Sequence, residues 1–161
     1  MNITLIWTGR EMLAGKVQPI TIIPGLTLNS FPEGTFMGRT GEIIATEDAN
    51  NRTVGALSYS SSFGEFNNIH IERIDVVGDM QNRGLGSRML EFLHDISQGH
   101  SITSNATTQE SELLFSKMGY TQGSLFYRQP TQPGTQSLIE AGGTTTRNVL
   151  IREDTKTKDF I

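Results

Sequence analysis

Between Ile69 and Val77 the chain alternates apolar and polar residues and then turns continuously apolar: Ile69-His70-Ile71-Glu72-Arg73-Ile74-Asp75-Val76-Val77. A period of two predicts a strand with His70, Glu72, Ile74 and Val76 on one face and Ile71, Arg73, Asp75 and Val77 on the other. Further on, Leu85, Met89, Leu93 and Ile96 recur at helical spacing, which predicts an amphipathic helix with His94 on an exposed turn. The two periods are separated by Gln81-Asn82-Arg83-Gly84-Leu85-Gly86.

Elsewhere the pattern is broken more often. Ile3 to Trp7 reads as a strand ended by Thr8-Gly9, and Arg10 to Val17 as a short helix limited by Gly15 and Pro19. Residues 20–36 carry Pro24, Gly25, Pro32 and Gly34 and read as loop, with a strand piece at Ile20 to Ile23. Gly41 to Glu47 and Thr53 to Ser60 form a predicted hairpin around Asp48-Ala49-Asn50-Asn51-Arg52. Ser101 to Asn105 is a short strand. A capping box, Thr107-x-x-Glu110, opens a second helix that Gly119 ends. Ser124 to Arg128 and Arg147 to Arg152 are further strands, separated by a long loop over residues 129–146, and residues 155–161 form a flexible charged tail. The sum is one domain over residues 1–161 of mixed α/β class: a central sheet flanked by helices.

A strand, a turn with two glycines and a helix make a phosphate cradle. Glycine lets the backbone approach an anion, and the free N–H groups of the helix start face it with the positive end of the helix dipole. Two glycines in six residues are, equally, a common turn. The wider context is more specific: Gln-x-x-Gly-x-Gly, preceded by Ile-Glu-Arg-Ile-Asp-Val and followed by an amphipathic helix, resembles the acetyl-coenzyme A motif of the GNAT N-acetyltransferase superfamily. Ser111-Glu112-Leu113-Leu114-Phe115-Ser116-Lys117-Met118-Gly119-Tyr120 is similar to that family's late helix. The two stretches span residues 69–120 in the family's order and spacing.

The resemblance implies a mostly antiparallel sheet with a splayed central strand that holds acetyl-coenzyme A. It implies that the backbone of Ile74, Asp75, Val76 and Val77 bonds the pantetheine arm. It also implies that Gln81, Asn82, Arg83, Gly84, Leu85 and Gly86, with Ser87 following, hold the pyrophosphate. Thr108 and Phe115 stand at late-helix positions that contact the coenzyme in the family. Glu72 and His70 occupy places where family members carry the general base. Histidine lies nearer the ideal pKa, whereas glutamate needs its pKa raised by burial. Each has a plainer reading, His70 as a surface strand residue and Glu72 as the partner of a cation. The family's usual acid is a tyrosine where this chain has Phe115, which has no proton to give. Tyr120 falls at a core position, and Tyr127 is a remote substitute.

Composition narrows the alternatives. The net charge of −4 argues against non-specific nucleic-acid binding, and Arg83 and Arg88 supply the local positive charge that a polyanionic coenzyme requires. With no cysteine, disulfides, thiolate metal sites and a cysteine acyl-enzyme are excluded, so transfer to an amine acceptor would be direct. His70, His94 and His100 lack metal-ligand spacing, the serines near Ser58 lack a G-x-S-x-G setting, and the glycine turn lacks P-loop and dinucleotide fingerprints. No run approaches a membrane span, and no signal-peptide pattern opens the chain, so a soluble cytoplasmic enzyme is expected. Two other readings stay open: a non-catalytic module of the same fold that binds acyl-coenzyme A or a protein, and an effector that acetylates a macromolecule. A homodimer is compatible with either. The acceptor would be shaped by residues 9–36 and 129–146.

Overall fold

The computed structural model describes residues 1–12, 21–23, 26–28, 38–62, 68–106, 108–130 and 137–153. Its strands are β1 (Asn2–Met12), β2 (Thr21–Ile23), β3 (Leu26–Leu28), β4 (Gly38–Glu47), β5 (Thr53–Ser62), β6 (Asn68–Val76), β7 (Ser101–Ser104), β8 (Thr121–Gln122), β9 (Phe126–Arg128) and β10 (Gly143–Leu150). The helices are α1 (Leu85–Ile96), α2 (Gln109–Lys117) and the single turn α3 (Leu138–Ala141). Eight strands form one sheet in the order β10-β1-β4-β5-β6-β7-β9-β8, while β2 and β3 pair by themselves. All neighbours in the large sheet are antiparallel except β6 and β7, which are parallel and joined through α1. This is the mixed, mostly antiparallel sheet with flanking helices expected from the sequence.

Glycine misleads about β1. Thr8-Gly9 does not end the strand, which runs on through Met12, so Arg10, Glu11 and Met12 are extended rather than helical. Residues 13–17 of the expected helix lie outside the described residues. Gly9 pairs with Gly41 across β4, and two buried rings lie over this pair. A Cβ on Gly41 would sit 2.2 Å from Tyr59 Oη, and one on Gly9 would sit 2.4 Å from Trp7 Cζ2. Trp7 Nε1 donates to Tyr59 Oη at 3.0 Å, which satisfies the polar ends of both rings inside the core. Both glycines make room for aromatic rings.

The stretch over residues 129–146 is also not loop throughout. Ser137 caps α3 through its hydroxyl, which accepts from Glu140 N–H at 3.3 Å, and β10 begins at Gly143, four residues before the predicted Arg147. Thr144, Thr145 and Thr146 are β-branched and suit an edge strand with one side to solvent. Residues 131–136 of the predicted loop and the tail at 155–161 lie outside the described residues.

The core lies on one face of the sheet. Leu85, Met89, Leu93 and Ile96 are buried as their spacing predicts, together with Leu90 and Phe92, against Leu5, Ile43, Leu57 and Ile69. His94 corrects the expectation of an exposed turn: it is 9% exposed, and its Nε2 lies 2.7 Å from Tyr120 Oη. The buried stripe of α1 is wider than its four marker residues, because Tyr120, which follows α2, packs against His94. Thr107 of the expected capping box lies outside the described residues. Thr108 caps α2 instead, its hydroxyl accepting from Ser111 N–H at 3.1 Å while its own N–H donates to Ser111 Oγ at 3.2 Å. Gly119 ends the helix as predicted, at φ 87°, with Tyr120 N–H bonded to Phe115 C=O at 3.0 Å and Gly119 N–H to Ser116 C=O at 3.2 Å.

Candidate active site

The register between β5 and β6 shifts by one residue. Tyr59 pairs with Ile71, but Ser58 pairs with Arg73, leaving Glu72 as an extra residue on β6. This β-bulge reverses the phase of alternation along the strand. His70 therefore shares its face with Arg73 and Asp75, whereas Ile74 and Val76 turn to the opposite face and pack against the core under α1. The predicted common face of His70, Glu72, Ile74 and Val76 is thus corrected: a strict period of two holds only without a bulge.

The bulge gathers polar groups. Ser60, the cross-strand partner of His70, donates its hydroxyl to Glu72 Oε1 at 2.8 Å. The Glu72 carboxylate thus lies beside the His70 face. His70 Nδ1 is 2.9 Å from Thr103 Oγ1 on the other flank. Thr103 in turn pairs with Tyr127 of β9, so His70, Thr103 and Tyr127 form a row across three strands, with the Tyr127 side chain partly exposed. Arg73 Nε and Asp75 Oδ2 are 3.1 Å apart on the same face. Tyr120, by contrast, is buried on His94, which fits its expected packing role.

Beside the bulge the sheet opens. Pairing of β6 with β7 runs from Asn68↔Ser101 to Ile71↔Ser104 and stops, while β6 continues to Val76. Val77 N–H donates to Val54 C=O at 2.9 Å, and Val77 C=O accepts from Met80 N–H at 2.9 Å. Antiparallel bonding alternates, so Asp75 also directs its main-chain groups toward β5, and Ile74 and Val76 direct theirs to the open edge. Gln81 Nε2 reaches that edge, donating to Val76 C=O at 3.0 Å. The central strand is splayed, as the family resemblance implies. Val77, however, does not belong to the open edge, because both its main-chain groups are engaged.

After one turn of 3-10 helix (Gly78–Met80), the glycine loop crosses to α1. Asn82 has φ 62° and Gly84 φ 94°, both in the left-handed region. Gly84 is the N-cap of α1 and offers no side chain to its N–H groups, so among the described residues those of Leu85, Gly86 and Ser87 have no cap partner. Among the described residues no atom lies within 4 Å of a Cβ built on Gly84, which suits the glycine side of the turn to an anion. Gly86 has a steric reason as well: a Cβ there would lie 3.0 Å from Leu114 Cδ2, so the glycine lets α2 approach α1. Leu85 anchors the helix start in the core. Arg52 braces the loop from below, with Nη2 3.0 Å from Glu47 and 2.7 Å from Asp79, and holds the Asp79 carboxyl below the usual carboxylate range.

The arginines are less free than the sequence implied. Arg83 Nη1 donates to Glu153 C=O, and Arg88 Nη1 pairs with Glu91 at 2.9 Å. Phe115 is fully buried between Tyr120 and Phe126, at ring-centroid distances of 5.0 and 5.5 Å, so it leaves no surface for a coenzyme and packs α2 onto the sheet. The Thr108 hydroxyl is engaged in the helix cap. Three residues on this site carry no motif: Ser60, Thr103 and Arg152, the last of which touches the glycine loop from the far end of the chain. A Ser/Thr-rich composition hides the first two among many equals. Among the described residues no cluster of His, Asp or Glu could hold a metal ion, and no helix is long and apolar enough to cross a membrane.

No curated protein sequence matches the chain. A structure from Desulfovibrio desulfuricans assigned to the GNAT acetyltransferases superimposes with a TM-score of 0.50 at 14% identity, covering 56% of this chain and 68% of the other. That likeness concerns the fold. The sequence profile of the Acetyltransferase (GNAT) family matches residues 26–120, more than half of the chain, from β3 through the bulge, the glycine loop, α1 and α2 to Tyr120. The chain belongs to the GNAT acetyltransferase family and is an acyltransferase.

Proposed function

We propose that this protein transfers an acetyl group directly from acetyl-coenzyme A to an amine, with Glu72 as general base. One observation carries the reading: the bulge that displaces Glu72 falls at the residue where β6 leaves β7. An acyl chain seated in the opening would end beside that carboxylate.

In this reading Ile74 and Val76 bond the pantetheine arm as an added strand would. The N–H groups from Arg83 to Ser87 hold the pyrophosphate. The open faces of Gly84 and of the α1 start, which no side chain among the described residues caps, fit such a ligand. Acetyl-coenzyme A supplies the activated acyl group. The amine nitrogen forms the new C–N bond as the thioester C–S bond breaks, its proton passes to Glu72, and the departing thiolate takes a proton from water. Ser60 orients the carboxylate, and His70, held by Thr103, lines the acceptor's approach and is the second candidate base. The chain contains no cysteine to carry the acyl group, which favours the direct route.

The test is acetyl transfer to a panel of amines, with acetyl-coenzyme A binding followed by calorimetry. Glu72→Gln should lower kcat by about 100-fold or more with binding retained, since general base catalysis contributes roughly 10²–10⁴-fold. His70→Ala should have the smaller effect. A larger loss in His70→Ala would move the base to His70. Full activity in the double variant would exclude both. A folded protein that does not bind acetyl-coenzyme A would end the reading.

A further inference from the structure

The end of the chain returns to the glycine loop. Ile151 is buried in the core, and its main-chain N–H and C=O bond Met1, each at 3.0 Å. The next residue is thereby fixed beside the loop. Arg152 N–H donates to Arg83 C=O at 3.0 Å, and Arg152 Nη2 donates to Asn82 C=O. Arg83 answers through its own guanidinium, which donates to Glu153 C=O. Arg88 Nε adds a longer bond to Leu150 C=O at 3.4 Å.

We infer that Arg152 is a positioning residue for the phosphate end of the acyl donor: by holding the carbonyls of Asn82 and Arg83 it aims the N–H groups of Arg83 and Gly84 into the cradle. The physical reason is peptide planarity. A trans peptide unit points its C=O and N–H in opposite directions, so pinning one carbonyl outward turns the next residue's N–H inward. The carbonyl of Asn82 shares its unit with the N–H of Arg83, and the carbonyl of Arg83 shares its unit with the N–H of Gly84. Among the described residues no acceptor meets either N–H. The loop needs such a hold. Asn82, at φ 62°, is in a conformation that a non-glycine residue adopts with strain, and the Gly84 cap has no side chain to order it. The N–H groups of Leu85, Gly86 and Ser87 are aimed by the helix itself and do not depend on Arg152.

This inference rests on the proposed use of acetyl-coenzyme A, and the experiment separates the two. Arg152→Ala and Arg152→Lys are compared with the wild type for binding of acetyl-coenzyme A and of S-acetylpantetheine, which lacks the pyrophosphate. Backbone order parameters for residues 82–84 are measured by nitrogen-15 relaxation on the ligand-free proteins. Arg152→Ala should weaken acetyl-coenzyme A binding by about five- to tenfold, the scale of one lost hydrogen bond. It should leave S-acetylpantetheine unchanged and lower the order of the Arg83 N–H. Arg152→Lys keeps a donor for Asn82 C=O and should recover most of both. Unchanged acetyl-coenzyme A affinity in Arg152→Ala would overturn the inference and leave the acyl donor standing. Equal weakening of both ligands would mean a general loss of structure and would overturn it too. Lower affinity with an unaltered loop would make Arg152 a direct phosphate contact and not a positioning residue. Absence of binding by the wild type would remove the acyl donor and the inference together.

Discussion

His94 sits against Tyr120 with too little water to carry a charge. Burial, aided by the positive field of Arg128 and opposed by Asp95, pushes its pKa down to about 4 from the ordinary 6.5. In the unfolded chain the same ring takes up a proton near pH 6.5. Between those values the unfolded state binds more protons, so stability falls as the pH is lowered, by about 1.4 kcal/mol per unit. Urea unfolding at pH 7, 5.5 and 4.5 should show this loss, and His94→Gln should flatten it. An unchanged slope in the variant would assign the acid sensitivity to carboxylates. At this scale the sequence was partly legible. His70 and Glu72 lie on a strand as the alternation predicts, but the expectation of an exposed His94 failed. One helical position cannot show that Tyr120, 26 residues further on, will pack against it.

Elements were legible where their signals are local. The period of α1, the glycine at the end of α2 and the β4–β5 hairpin all appear in the structure, because each depends on neighbours within a few residues. The faces of β6 were not legible, because a bulge is a property of two strands in register and Ser58 and Tyr59 lie more than ten residues from Glu72. The ends of β1 were misread for a related reason: Gly9 accommodates the Trp7 ring and pairs with Gly41, which lies beneath Tyr59. The cap of α2 allows a separating experiment. Thr108→Val keeps the shape but removes the acceptor for Ser111 N–H, and should cost about 1 kcal/mol of stability. Acetyl-coenzyme A affinity should not change, because the hydroxyl is engaged in the cap. A fall in affinity that exceeds the fall in stability would return Thr108 to the binding site.

For the whole molecule, β10 joins the two ends of the chain. It pairs with β1 from Asn2↔Leu150 to Gly9↔Gly143 and so covers an edge that would otherwise present unpaired N–H and C=O groups. It also delivers Ile151 to the core and Arg152 to the glycine loop. Ending the chain after Gly142 should therefore lower the melting temperature and expose the edge of β1, producing association that grows with concentration in light scattering. A truncated chain that stays monomeric with an unaltered melting temperature would show that this strand is dispensable. The lower half of the sheet, β7 to β9, is untouched by that change and should keep its pairing.

By itself the sequence determined the strand, the glycine turn and the helix that follow one another from Ile69 to Ile96. It also determined the chemistry those residues can supply, since periodicity, glycine conformation and titratable groups act over short stretches. Tertiary structure alone decided which way His70 and Glu72 face, where β6 parts from β7, that Phe115 is core, and that Arg152 reaches a loop 70 residues before it. Each of these is set by register or contact between segments far apart in the chain, and no local pattern encodes the distance between them.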